Sequence, residues 1–321
     1  MAGLLRGMAG HGGPWGGLHT PIHNSDDAGT APRAYGRGDW SAAETETPDG
    51  KIGEADMSVT QQLLETAATR SDNDALVGSN ADRRHTYGGL ASTLMRAAAG
   101  LAWRGLRPRD VVGVYVPDVA CYVLACHAIR AAGGIPCPVS PELSVQEVAG
   151  QLADCGARML LTAQPLAAAG LAAADRSWVR QVISFCDAPA TTPFGSLLGM
   201  GTLQPPSARP HDLALLPYSR AADGTLQPAG LTHLDLAGQL DELASTADVT
   251  AADVVLAAPL VGDGRSYTAV VDYALLHGAT VVAARTDQLA AAAAEHGGTA
   301  AIVPAGVEVQ AAAPLRLFAV L

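Results

Sequence analysis

Aromatic side chains are scarce: three Phe, four Trp and seven Tyr make up 4% of the 321 residues. The core must therefore be built from aliphatic side chains and close helix–sheet contacts, with alanine supplying much of the apolar share. Positive charge is thin as well. The net charge is −11 and no block of five or six basic residues occurs, so the electrostatic footprint of a nucleic-acid binder is missing. The acidity reads as solubility. No apolar run reaches the length of a membrane span, and Met1-Ala-Gly-Leu-Leu-Arg6 has no apolar segment of a secretory signal behind it. The cysteines Cys121, Cys126, Cys137, Cys155 and Cys186 are odd in number and form no Cys-x-x-Cys pair. That argues against a metal site or a disulfide framework and predicts small buried hydrophobes in a reducing cytoplasm. A Gly-x-Ser-x-Gly elbow is absent, and Gly262-Asp-Gly264 is too short for a dinucleotide fingerprint.

What is present suits one large domain or two ordinary ones: 49% hydrophobic and 16% charged residues. Residues 1–56 hold glycines, prolines and scattered charges without a period, and read as a flexible Gly/Pro-rich extension. His11, His19 and His23 within it have the spacing of no common metal site and read as solvated loop residues. From Met57 the pattern changes. Val59, Leu63, Leu64 and Ala67 recur at helical spacing. Short extended pieces follow at 74–77 and 84–87, then a long helix over 89–104 that Gly105 ends. A buried strand is predicted at 111–116, a helix at 119–132, an extended segment at 135–139 and a helix at 144–155. Ser144 and Glu147 form a capping box at its start. Strands at 158–162 and 181–185 flank a helix at 166–174, and 187–211 reads as a loop. Further strands are expected at 213–216, 253–258, 279–284, 300–303 and 315–320, with helices at 234–247, 267–276 and 287–295. Such alternation predicts an α/β fold of layered, mostly parallel sheets flanked by helices. The last run, Leu317-Phe-Ala-Val-Leu321, is strand-like with nothing after it, as though the chain were cut short. The expectation is that a second copy or a companion protein covers the exposed edge.

The stretch Pro217-Tyr-Ser-Arg-Ala-Ala-Asp-Gly-Thr-Leu-Gln-Pro-Ala-Gly-Leu-Thr-His233 carries the functional question. A strand, a small-residue loop and a helix form the layout in which backbone N–H groups cradle a phosphate. Yet the loop has no lysine, and Pro228 removes one donor. Elsewhere the polar residues have plain readings. His127 is a packed helix residue, and His233 serves helix-start packing or hydrogen bonding. Glu142, Glu147 and Asp154 are the solvated face and cap of one helix, and Asp263-Gly-Arg-Ser266 is a polar turn.

His85-Thr-Tyr-Gly-Gly-Leu90, the long helix after it, Gly105-Leu-Arg-Pro-Arg-Asp-Val-Val-Gly-Val-Tyr-Val-Pro117 and Ala131-Ala-Gly-Gly-Ile-Pro-Cys-Pro138 occur in an informative order. Together with Asp154-Cys-Gly-Ala-Arg-Met-Leu-Leu-Thr162 they resemble the adenylate-forming superfamily of acyl-CoA synthetases, aryl-CoA ligases, luciferases and peptide-synthetase adenylation domains. The likeness implies that 57–321 is the first part of the large N-terminal domain of such an enzyme. The C-terminal half and the small lid domain, with its catalytic lysine, would then be absent. It also places residues 217–233 on the family's ATP phosphate loop, P-Y-S-S-G-T-T-G-x-P-K-G-V-x-L-T-H. Pro217, Tyr218, Ser219, Gly224, Leu231, Thr232 and His233 match that pattern. Arg220, Ala221, Ala222, Asp223, Leu226, Gln227 and Pro228 depart from it.

The nucleotide-facing positions implied by the resemblance are Ser219, Arg220, Asp223, Gly224, Thr225 and Gln227. Three hydroxyls are lost there, a carboxylate at Asp223 would repel a triphosphate unless a metal bridged them, and Gln227 supplies no charge. In Pro259-Leu-Val-Gly-Asp-Gly-Arg265, Val261 and Gly262 replace the family's aromatic and histidine. The expected function is a binding or interaction module without catalytic competence of its own, needing no cofactor and carrying no catalytic or metal-ligating residue. The alternative is an ATP-dependent acyl- or aryl-CoA ligase using ATP and Mg²⁺, as one chain of a split enzyme.

Overall fold

A computed structural model describes residues 20–21, 57–78, 84–207, 209–258, 264–304 and 315–320. In chain order the elements are β1 (Thr20–Pro21), α1 (Val59–Thr69), β2 (Asp74–Val77), β3 (Arg84–Thr86), α2 (Tyr87–Trp103), β4 (Val111–Tyr115), α3 (Val119–Ala131), β5 (Ile135–Pro138), α4 (Val145–Asp154), β6 (Met159–Thr162), α5 (Ala167–Ala174), β7 (Gln181–Ser184) and β8 (Thr192–Pro193). Then come β9 (Leu213–Leu215), β10 (Tyr218–Arg220), β11 (Leu226–Pro228), β12 (Leu231–Thr232), α6 (His233–Thr246), β13 (Val254–Ala257), α7 (Gly264–Leu276), β14 (Thr280–Ala283), α8 (Leu289–His296), β15 (Ala300–Pro304) and β16 (Arg316–Val320). Two sheets organise them. One has the order β5-β4-β6-β7-β8 and is wholly parallel. The other runs β1-β16-β15-β13-β14-β2-β3 and is parallel except for the β2–β3 pair.

Strand alternation divides the core into layers. Val112 and Val114 of β4, with Met159 and Leu161 of β6, face one apolar cluster that also takes Leu76, Val255, Val281 and Ile302 from the larger sheet. Helices α1, α2, α3 and α7 fill the space between the sheets and contribute Leu63, Leu94, Ile129 and Val271 to the same cluster. Every residue of α3 is buried, His127 and Arg130 included. On the outer face of the five-stranded sheet, Val111, Tyr115 and Leu160 pack against Val148 and Leu152 of α4. Helix α8 covers the outer face of the larger sheet through Leu289. The result is a helix–sheet–helix–sheet–helix stack, the layered α/β architecture the alternation predicts.

Local signals placed most boundaries. Ser144 and Glu147 form the expected capping box, and Gly105 and Gly278 leave their helices at φ 98° and 79°. Several expectations need correction. Helix α2 starts at Tyr87 because the Thr86 hydroxyl caps Gly89 N–H. Gly264, Arg265 and Ser266 form the first turn of α7 rather than a polar turn, while residues 259–263 lie outside the described residues. The 187–211 loop contains β8 and a 3-10 turn at Phe194–Gly199, whose Phe194 and Leu197 are buried. Of the 1–56 extension only Thr20–Pro21 is described; it pairs in parallel with Phe318 and Ala319 of β16, the edge expected to await a partner. The four cysteines in apolar runs are free and buried, and Cys186 is partly so. No helix among the described residues is long and apolar enough to cross a membrane.

Candidate functional site

The stretch 217–233 is not a bare loop between strand and helix. After β9, Leu216 N–H donates to Pro136 O at 2.9 Å, which seats the segment beside β5. The chain then forms a hairpin. Tyr218, Ser219 and Arg220 pair antiparallel with Pro228, Gln227 and Leu226. Its turn is closed from within: Ala221 N–H donates to Thr225 O at 2.8 Å and Gly224 N–H to Ala221 O at 2.9 Å. Gly224 takes φ 84°, a value that suits glycine. Asp223 Oδ1 accepts from Thr225 N–H at 2.9 Å and from its hydroxyl at 2.6 Å. These two bonds hold the Asp223 carboxyl below the ordinary range. Asp223 thus serves its own turn, as a short acceptor side chain does in such turns.

Arg220 reaches across to α4. Its guanidinium donates to Gly224 O at 2.7 Å and to Glu147 Oε1 at 2.9 Å. Glu147 Oε2 meanwhile accepts from Ser144 N–H at 2.9 Å and its hydroxyl at 2.7 Å. The bond from Arg220, then those from Ser144, bring the Glu147 carboxyl down to about 2. At the other end of α4, Asp154 Oδ2 accepts from the Tyr218 hydroxyl at 2.6 Å. Burial and the Asp154 contact both push the Tyr218 hydroxyl up. Two acids read as the solvated face and cap of a helix therefore also receive the hairpin. Ser219 and Gln227, cross-strand partners, are exposed.

The helix that follows has no free donors at its first turn. β12 pairs antiparallel with β9 and leads straight into α6. His233 N–H donates to Asp212 O at 3.0 Å, Leu234 N–H to Pro210 O at 2.8 Å, and Asp235 N–H to the Thr232 hydroxyl at 3.1 Å. Asp235 caps in return, accepting from Thr232 N–H at 2.9 Å and its hydroxyl at 2.7 Å. A helix start binds an anion through orphan N–H groups. Here those of residues 233–235 are satisfied by the protein.

Beneath the hairpin lies a buried charged cluster that the sequence reading did not assemble. Arg130 of α3 donates from Nε to Ala214 O of β9 at 3.0 Å and from Nη1 to Asp272 Oδ2 of α7 at 3.0 Å. His127 Nε2 lies 3.1 Å from Asp272 Oδ1, and its Nδ1 lies 2.9 Å from the Thr60 hydroxyl. A carboxylate has no proton to give, so Nε2 donates to Asp272. All three ionisable side chains are at most 3% exposed. Burial pushes the Asp272 carboxyl up, but Arg130 and His127 outweigh it and hold it below the usual range. His233 is neutralised by the same surroundings: burial first, then the Arg130 charge, bring it down to about 4, and its Nδ1 is buried without a partner. His127 is thus the packed histidine its setting in an apolar helix suggested. A lone aspartate inside the apolar run 267–276 was the available sign of the cluster.

With the geometry in place, comparison with known proteins is decisive for kinship. Residues 63–314 match the family model of AMP-binding enzymes. The chain belongs to the AMP-binding enzyme family. A 4-coumarate–CoA ligase-like 9 protein of Oryza sativa subsp. japonica is 29% identical over 217 residues, which is 65% of this chain and 38% of that protein. Among solved structures, the long-chain-fatty-acid-CoA ligase (FadD1) of Archaeoglobus fulgidus superposes with a TM-score of 0.70 at 18% identity, over 81% of this chain and 53% of that one. Apo MbtA of Mycobacterium smegmatis gives a TM-score of 0.70 at 27% identity, over 77% of this chain and 48% of that one. The chain therefore spans roughly two fifths to a half of the length of these relatives. Lys51 is the only lysine in the sequence, and it lies outside the phosphate-loop stretch. Among the described residues no group of three His, Cys, Asp or Glu side chains is arranged to hold a metal ion.

Proposed function

We infer that this AMP-binding family member does not adenylate carboxylic acids through residues 217–233 and acts as a binding or interaction module. The observation that carries the inference is the closure of the hairpin. Arg220, the one cation in it, is engaged by Glu147 and Gly224 O. Asp223 is engaged by Thr225, and the first three N–H groups of α6 are bonded to the protein. A triphosphate is held by donors and positive charge aimed at its oxygens, and the hairpin's one guanidinium is turned to Glu147 and Gly224 O instead. The role left to the segment is to join β9 and α6 to α4. Assembly with a second copy or a companion chain belongs to the same proposal.

The second reading is an ATP-dependent acyl- or aryl-CoA ligase, active as part of a larger assembly. Family membership and the likeness to a 4-coumarate–CoA ligase-like protein favour it. Acid-dependent ATP–pyrophosphate exchange separates the two. The chain is incubated with Mg-ATP, labelled pyrophosphate and aryl or fatty acids, alone and with a separately expressed C-terminal part of a relative. No acid-dependent exchange is expected. Exchange above the no-acid control, or calorimetric Mg-ATP binding that Arg220→Ala abolishes, would overturn the first reading in favour of the second.

A further inference from the structure

Among the described residues, five arginines gather at one place away from the hairpin. A cavity of about 680 Å³ opens at the amino ends of β4, β6 and β7. Arg104, Arg107, Arg109, Arg158 and Arg180 line it, with Asp110 the only acid among its walls. The volume lies in the range of small-molecule sites. Asp110 is already committed, its carboxylate accepting Arg107 N–H at 2.9 Å. Arg104 donates to the Ser196 hydroxyl at 3.0 Å, a neutral partner. Arg107, Arg158 and Arg180 form no ion pair with a carboxylate among the described residues. Mutually repelling cations gathered in a chain of net charge −11 call for a compensating anion. Guanidinium forks suit phosphate oxygens, which they grip in pairs. Gln181 braces one wall of the cleft, its Nε2 donating to Arg104 O at 3.1 Å. Sheets of this kind bind their usual ligands at the carboxyl ends of the strands. A cleft at the amino ends, sharing no residue with 217–233, is a separate site.

The geometry points to a binding site for a small polyphosphate-bearing ligand in this arginine cleft. Exposed Trp103 and Trp178 stand one and two residues from Arg104 and Arg180, so their fluorescence reports occupancy. The test titrates inorganic pyrophosphate without Mg²⁺ into the full chain, following calorimetry and tryptophan emission, at low and high salt. Saturable one-to-one binding that weakens with salt is expected. Arg158→Ala with Arg180→Ala should weaken it at least tenfold. Both side chains are exposed, so the fold should persist, which an unchanged melting temperature verifies. Arg220→Ala should leave pyrophosphate binding as it is. A parallel titration with ADP separates the sources: tighter binding than pyrophosphate identifies a nucleotide, equal binding the phosphates alone. The site is refuted if pyrophosphate does not saturate at millimolar concentration, or if the double variant binds as well as the parent. Binding lost instead in Arg220→Ala would refute it too and would return the phosphate to the hairpin.

Discussion

Asp272 offers the sharpest test of how the site region is held. It is the single carboxylate facing Arg130 and His127 in the layer between the sheets, and Arg130 in turn holds the carbonyl of Ala214 just before the hairpin. Asp272→Ala removes the anion and leaves a buried guanidinium without a counter-charge. Breaking one side of a buried pair costs about 3–5 kcal/mol. Against a total stability on the order of 5–15 kcal/mol, that is a large fraction. With a urea slope of about 3 kcal/mol/M, a loss of about 4 kcal/mol moves the unfolding midpoint down by more than about 1 M. Urea titration followed by far-UV circular dichroism reads that shift directly, provided the slope is unchanged.

The cause is isolated by a double-mutant cycle. Arg130→Met alone should cost less than Asp272→Ala, because a neutral side chain takes the place of the cation. The double variant should be more stable than the sum of the two losses predicts, since neither charge is left stranded. The pH profile supplies the sign. Asp272 is held below its ordinary value of 3.8. Its contribution is present above the unfolded value of 3.8 and fades as pH falls through the lower folded value. An Asp272→Ala midpoint within about 0.2 M urea of the parent, or losses that simply add in the double variant, would refute a charge-pairing role.

Two other expectations follow from single contacts. A Cβ at Gly100 would stand 2.6 Å from Leu197 Cα, a backbone atom that cannot swing away, so Gly100→Ala should cost about 1–3 kcal/mol and lower the melting temperature by several degrees in calorimetry. His233 is neutral in the fold down to about 4 against 6.5 when unfolded, so the unfolded chain takes up a proton first as pH falls. Parent stability should decline between pH 6.5 and 4, and His233→Gln should flatten that decline in urea midpoints taken across the window; parallel profiles for the two proteins would contradict the assignment.

The elements legible in the sequence were those whose signals are local. Ser144 and Glu147 are three residues apart, Gly105 and Gly278 mark ends by backbone conformation, and the apolar run 119–126 that opens α3 predicts its own burial. The hairpin was not legible, because β10 and β11 lack an alternating apolar face: Ser219, Arg220 and Gln227 are all exposed. What fixes it is distant in sequence, with Glu147 lying 73 residues and Asp154 64 residues from their hairpin partners. The Arg130–Asp272 pair spans 142 residues. Periodicity and capping rules see a few residues at a time, so they read Glu147 and Asp154 correctly as helix residues and could not see what lands on them.

That distance changes how the departures from the family's phosphate-loop pattern are understood. Taken one by one, Arg220 and Asp223 look like losses, a hydroxyl replaced by the wrong group. In the fold each replacement has an intramolecular partner. Arg220 ties the turn to the first turn of α4, Tyr218 ties the hairpin's base to that helix's last residue, and Asp223 closes the turn between them. Helix α4 itself packs on the outer face of the five-stranded sheet through Val148 and Leu152. A segment that binds a nucleotide must keep donors unpaired and pays for that in local stability. This one has turned Arg220, Asp223 and Tyr218 to partners within the protein and gained an anchor along the length of α4. The matching residues Tyr218 at one end and Thr232 and His233 at the other are those that join it to α4 and α6. Each of these matching residues thus has a part in holding the fold.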